Sequence, residues 1–137
     1  MRRVVLDPGV LVSALISPSG TPAKLLEDAR NGALELIVSP LLLGELEEVL
    51  AREKFRRYVD PDTVRDYIGM LRRDAAVAED PPGGPPLHAA DPDDDYLIAL
   101  AFSQKAALVS GDKHLLDITG GAPILAPADL LRASTRS

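Results

Sequence analysis

Short apolar runs, each followed by a segment of helical character, constrain this chain of 137 residues more than any other feature. RVVL at 3–6, ELIV at 35–38, AAVA at 75–78, ALVS at 107–110 and PIL at 123–125 are dominated by unbroken apolar stretches, not alternating in polarity. That is the pattern of strands covered on both faces, as in a parallel sheet. Between them, Thr21-Pro22, Ser39-Pro40 and Asp60-Pro61 pair a capping side chain with a proline suited to a first helical turn, and Asn31-Gly32 is a stop signal. Helices are expected over 10–16, from Thr21 to Asn31, from 40 to about 52, from 61 to about 73 and from about 93 to 104. A helical turn at 113–117 and a last helix after Ala126-Pro127 complete the pattern. Strand–helix alternation predicts an α/β fold, a three-layer α/β/α sandwich around a mainly parallel sheet of four to five strands. One domain over residues 1–133 with a disordered tail at 134–137 is expected, since the length suits a single core.

The absence of cysteine excludes disulfides, thiolate metal sites and a cysteine nucleophile. No apolar run is long enough to span a bilayer, and the N-terminal run is too short for a signal-peptide core, so a cytoplasmic protein is expected. The net charge of −6 is local in origin. Residues 1–73 balance eleven basic against eleven acidic groups, whereas residues 74–95 carry seven acids and no Lys or Arg. Such a run reads either as a solvated loop or as part of a site that gathers cations. The overall charge gives no basic footprint for nucleic acid.

The carboxylates fall in informative places. In open parallel sheets, sites form beyond the C-terminal strand ends. Asp7 and Asp112 both follow predicted strands, and Asp93, Asp94 and Asp95 stand at a predicted helix start. Helix capping explains one aspartate of that triplet; three together crowd like charges. In the helix from 40, Glu45 falls within the apolar face formed by Leu41, Leu42, Leu46, Val49 and Leu50. A carboxylate there is either a rim residue reaching water or a group bound to a cation, because an unpaired inward charge is costly. Asp7, Glu45, one of Asp93–Asp95 and Asp112 form an acidic quartet from four segments. Oxygen-only donors suit Mg²⁺ or Mn²⁺, and the usual chemistry of such a cluster is phosphodiester hydrolysis.

VVLDPGVL, VSPLLLGEL, DYLIALA and LVSGDKHLL, in that order, resemble the motifs of PIN-domain ribonucleases. The DPDDDYLIALA…LVSGDKHLL stretch is most similar to the toxin components of bacterial toxin–antitoxin pairs. The resemblance covers nearly the whole chain and implies a metal-dependent endoribonuclease acting on single-stranded RNA. It implies Asp7, Asp95 and Asp112 as Mg²⁺ or Mn²⁺ ligands, with Asp94 as the rival of Asp95. It further implies Glu45 as the group orienting the attacking water or supporting the ligands, and Ser110 as a supporting hydroxyl. A small antitoxin, RNA and a homodimer are the implied partners, with no membrane.

Two departures stand out. Pro8-Gly9 replaces the family's Thr-Asn after the first acid, so the amide and hydroxyl that brace it are missing. His114 stands where many relatives carry a further acid; a surface position suits it, and His88 in the proline-rich loop reads as solvated. The segment AREKFRRY places Arg52, Lys54, Arg56 and Arg57 among aromatics, either to grip RNA or to end a helix favourably. The competing functions are a catalytically silent PIN-fold binding module and a phosphoacceptor receiver domain. The receiver reading is disfavoured by the single acid at Asp7.

Overall fold

The computed structural model describes residues 2–82, 95–111 and 124–130. Among these, β1 (Arg2–Leu6), β2 (Leu34–Val38), β3 (Ala76–Val77), β4 (Ala107–Val109) and β5 (Ile124–Leu125) form one sheet in the order β3-β2-β1-β4-β5. Every neighbouring pair is parallel. The helices are α1 (Pro8–Ile16), α2 (Thr21–Arg30), α3 (Pro40–Leu50), α4 (Glu53–Arg56), α5 (Pro61–Asp74) and α6 (Asp95–Ser103), and a further helical turn occupies 127–130. Right-handed crossovers put α1 to α5 on one face of the sheet and α6 on the other, the expected three-layer sandwich. The chain runs outward from β1 through β2 to β3, then returns past β1 to β4. The order therefore reverses between β1 and β4, where such sheets open a crevice.

The sheet is central because its strands are apolar on both faces. Val4, Val5 and Leu6 are fully buried, and Val4 stands in register with Leu36 on one side and Ala107 on the other. Leu46 of α3, Leu71 of α5 and Leu100 of α6 are also fully buried, each worth about 1.5–3 kcal/mol of transfer free energy. At the opposite end of the sheet from the C-terminal strand ends, the Arg3 guanidinium donates to the Gln104 carbonyl and side chain and lies 3.6 Å from Glu35.

Caps set the helix starts. Asp7 Oδ1 accepts from the Val10 N–H at 2.7 Å, so α1 begins at Pro8, two residues before the expected start. Asp60 Oδ1 accepts from the Thr63 N–H at 2.7 Å and opens α5. α3 is capped twice, by Ser39 Oγ on the Leu42 N–H at 3.2 Å and by Asp80 Oδ2 on the Leu41 N–H at 3.0 Å. α2 differs from expectation: Gly20 occupies the capping position and Thr21 lies inside the helix. Gly32, at φ +86, ends the turn after α2, a conformation open to glycine at no steric cost. The helix expected to reach Arg52 stops at Leu50, and a short second helix, α4, follows.

Candidate active site

The C-terminal ends of β1 and β4 open into a cleft of about 790 Å³. Its lining includes Asp7, Ser13, Glu45, Arg52, Lys54 and Gly111, with apolar walls that include Val12, Ile16, Val49, Phe55 and Leu97. Asp7 thus shares one depression with an acid and two cations from the 45–54 stretch. Asp7 is only 7% exposed. Its backbone N–H donates to the Val109 carbonyl at 3.0 Å, so the end of β4 fixes the residue, and Oδ1 is held by the first turn of α1. Pro8 supplies a first-turn residue that needs no hydrogen-bond partner for its nitrogen. Asp7 is thus tied to the backbone of both β4 and α1.

Glu45 sits differently from the sequence expectation. Leu41 is 54% exposed, and the buried face of α3 is Leu42, Leu43, Leu46 and Leu50. Glu45 and Val49 lie half-buried at the edge of that face, where both line the cleft. The correction has a simple cause: α3 packs against α1 and α5, which turns the buried stripe by about one residue away from Leu41. Glu45 Oε2 accepts from the Tyr96 hydroxyl across the cleft from α6.

Asp95 opens α6 and is half-buried; it is absent from the lining of the cleft, although its neighbours Tyr96 and Leu97 reach that region. Ser110 follows β4, is fully buried, and donates its backbone N–H to the Leu125 carbonyl at 2.9 Å. Gly111 lines the cleft immediately before Asp112. Asp93, Asp94, Asp112, His88, His114, the turn at 113–117 and the tail at 134–137 lie outside the described residues.

The basic segment divides. Arg52 and Lys54 line the cleft, and the Lys54 ammonium lies 5.0 Å from the centre of the Phe55 ring. Arg57 lines a small hollow with Lys54, Phe55 and Tyr58. Arg56 instead donates to the Ala51 carbonyl at 3.4 Å and borders a separate groove between α3 and α5, beside Arg65 and Arg72. Ser13 and Tyr96 are site residues that sequence reasoning passed over. Ser13 is spaced with Gly9 and Ile16 along one side of α1, so helical periodicity could have found it. Tyr96 was hidden in an apolar run.

The PIN domain family profile matches residues 3–114. The chain belongs to the PIN domain family. PIN domains are generally nucleases and typically use divalent metal ions, and Asp7 and Glu45 of this PIN domain stand where the sheet topology puts a site. It is 29% identical over 116 residues to the uncharacterized protein MJ1680 of Methanocaldococcus jannaschii, spanning 85% of this chain and 74% of that protein. Its fold is similar to PAE2754 of Pyrobaculum aerophilum, with a TM-score of 0.66 at 19% identity over 99% of this chain and 91% of that one. It is also similar to VapBC2 of Rickettsia felis, solved bound to a DNA fragment from its promoter, with a TM-score of 0.61 at 16% identity over 90% of this chain and 96% of that one.

The donors in this PIN domain fit a hard divalent cation in kind. They are carboxylate oxygens, and the most buried, Asp7, lies at a strand end. Among the described residues no three acids or histidines converge as a complete ligand set. Among the described residues, the carboxylates that line the cleft are Asp7 and Glu45.

Proposed function

We propose that the protein is a divalent-metal-dependent endoribonuclease that hydrolyses phosphodiester bonds of single-stranded RNA. The observation that carries this reading is the meeting of Asp7, Glu45, Arg52 and Lys54 in one cleft at the point where the strand order reverses. Asp7, Asp95 and Asp112 would hold Mg²⁺ or Mn²⁺, with Asp94 the rival of Asp95. When bound, the ion would polarise a phosphoryl oxygen and lower the pKa of a water. Glu45, half-buried at the cleft edge and held by the Tyr96 hydroxyl, would orient the attacking water. Ser110, fully buried directly after β4, would support the strand end two residues before Asp112. Arg52 and Lys54 hold the flanking phosphates, Arg57 extends that contact, and Phe55 offers a face on which a base can stack.

A further part of the proposal is a cytoplasmic toxin restrained by a small antitoxin protein and working as a homodimer; of these, the fold likeness to VapBC2 supports the antitoxin partner. Among the described residues no helix is long and apolar enough to cross a membrane. The test is cleavage of a mixed-sequence single-stranded RNA with Mn²⁺ or Mg²⁺. Cleavage that EDTA abolishes, and that Asp7→Ala and Asp112→Ala each remove, is the expected result. Full activity of both variants, or activity indifferent to EDTA, contradicts it. A protein that neither cleaves RNA nor takes up Mn²⁺ is instead the silent binding module.

A further inference from the structure

Glu45 reaches the cleft on a long side chain with large rotamer freedom, from a helix whose preceding residue, Gly44, has open space around it. Among the described residues no arginine or lysine pairs with its carboxylate. The hydroxyl of Tyr96 does meet it, donating to Oε2 from another element, α6. Tyr96 is half-buried and its ring packs against the hydrophobic core, so the hydroxyl is presented by a rigid body with few torsions. We propose that Tyr96 is a positioning residue of the nuclease site, fixing Glu45 so that Oε1 alone faces the cleft.

The choice of a phenol has chemical consequences. An arginine or lysine in its place would neutralise the glutamate. A phenol is a neutral donor, so it orders the carboxylate and leaves its negative charge for water or cation. By holding Oε2 it also disfavours the two-oxygen grip a glutamate can make on a metal and favours Oε1 as the acceptor that orients water. Because Tyr96 directly follows Asp95, the same contact ties the acid of α3 to the helix that begins with another candidate ligand. The catalytic consequence rests on the nuclease reading; the positioning contact does not.

The test is a double-mutant cycle of Tyr96→Phe and Glu45→Ala. The phenylalanine keeps the ring that packs on the core, so the fold is retained. Urea unfolding without added metal reads the contact: the folding constant of the double variant should depart from additivity by roughly threefold or more. Cleavage of a mixed-sequence single-stranded RNA with Mn²⁺ reads the role. Tyr96→Phe should lower kcat by about tenfold with KM within about twofold, and should change nothing further once Glu45 is alanine. Additive unfolding energies overturn the proposal, as does a Tyr96→Phe protein with unchanged kcat. If the unaltered protein does not cleave RNA, the nuclease reading fails, and the unfolding cycle still decides whether Tyr96 holds Glu45.

Discussion

Asp7 carries one observed duty and one proposed duty on one carboxylate. Oδ1 starts α1, and burial at the strand end puts the group where a cation would need it. Substitution separates the duties. Asparagine keeps a capping oxygen and loses the charge, so Asp7→Asn should unfold in urea within about 0.5 kcal/mol of the unaltered protein while cleavage is lost. Asp7→Ala also leaves the buried Val10 N–H without its acceptor and should cost about 1 kcal/mol more. Equal stability of the two variants would show that the cap is idle. At this scale the sequence was legible where chemistry and position coincide: an acid after an apolar strand can be read, and Asp7 and Glu45 do share a cleft. Tyr96 was not legible, because a hydroxyl between Asp95 and Leu97 reads as one more core aromatic until the helix from 40 is placed opposite it. The Leu41 error has the same root. The sequence marks a face about three residues wide, and only packing against α1 and α5 decides which edge is buried.

Elements matter here through their ends. The Glu45 helix stops at Leu50, Ala51 and Arg52 turn the chain, and α4 restarts at Glu53. That break sends Arg52 and Lys54 to the cleft and Arg56 to the groove beside α5. A helix continued through this stretch would instead have set Arg52 and Lys54 about 200° apart, on opposite sides. Arg52→Gln and Lys54→Gln should each weaken RNA binding and reduce the salt dependence of log K by about 0.7, whereas Arg56→Gln should alter neither, as read by fluorescence anisotropy across a salt series. A second element-level expectation concerns the α1–α5 contact. The Tyr67 hydroxyl donates to the Leu11 carbonyl at 2.7 Å, and burial pushes its pKa well above the ordinary tyrosine value of 10.0. The unfolded chain ionises this group first, so the stabilisation is complete below about pH 10 and is lost as pH rises beyond it. Thermal melts should fall through the alkaline range, and Tyr67→Phe should flatten that fall. At the acid end the backbone and side chain of Thr63 hold the Asp60 carboxyl below its usual value, so its contribution is lost as pH drops through the carboxylate range.

At the scale of the whole molecule, strand order makes the site. The unbroken apolar runs were enough to predict a parallel sheet with helices on both faces, and five parallel strands are found. The order β3-β2-β1-β4-β5 was not readable, because all of these strands are short and apolar and nothing in them names a neighbour. Yet that order places β1 beside β4 and so brings the residue after Leu6 next to the end of β4, more than a hundred positions later. A site that joins Asp7 to the end of β4 therefore closes only when the fold does, and the divalent ion proposed for it should stabilise the folded chain by mass action. The most direct test is a calorimetric titration of Mn²⁺ into the unaltered protein and into Asp7→Asn. Saturable uptake by the former, weakened at least about tenfold in the latter, is the predicted result. No uptake by the unaltered protein, or uptake that the loss of the Asp7 charge leaves unchanged, would contradict the account.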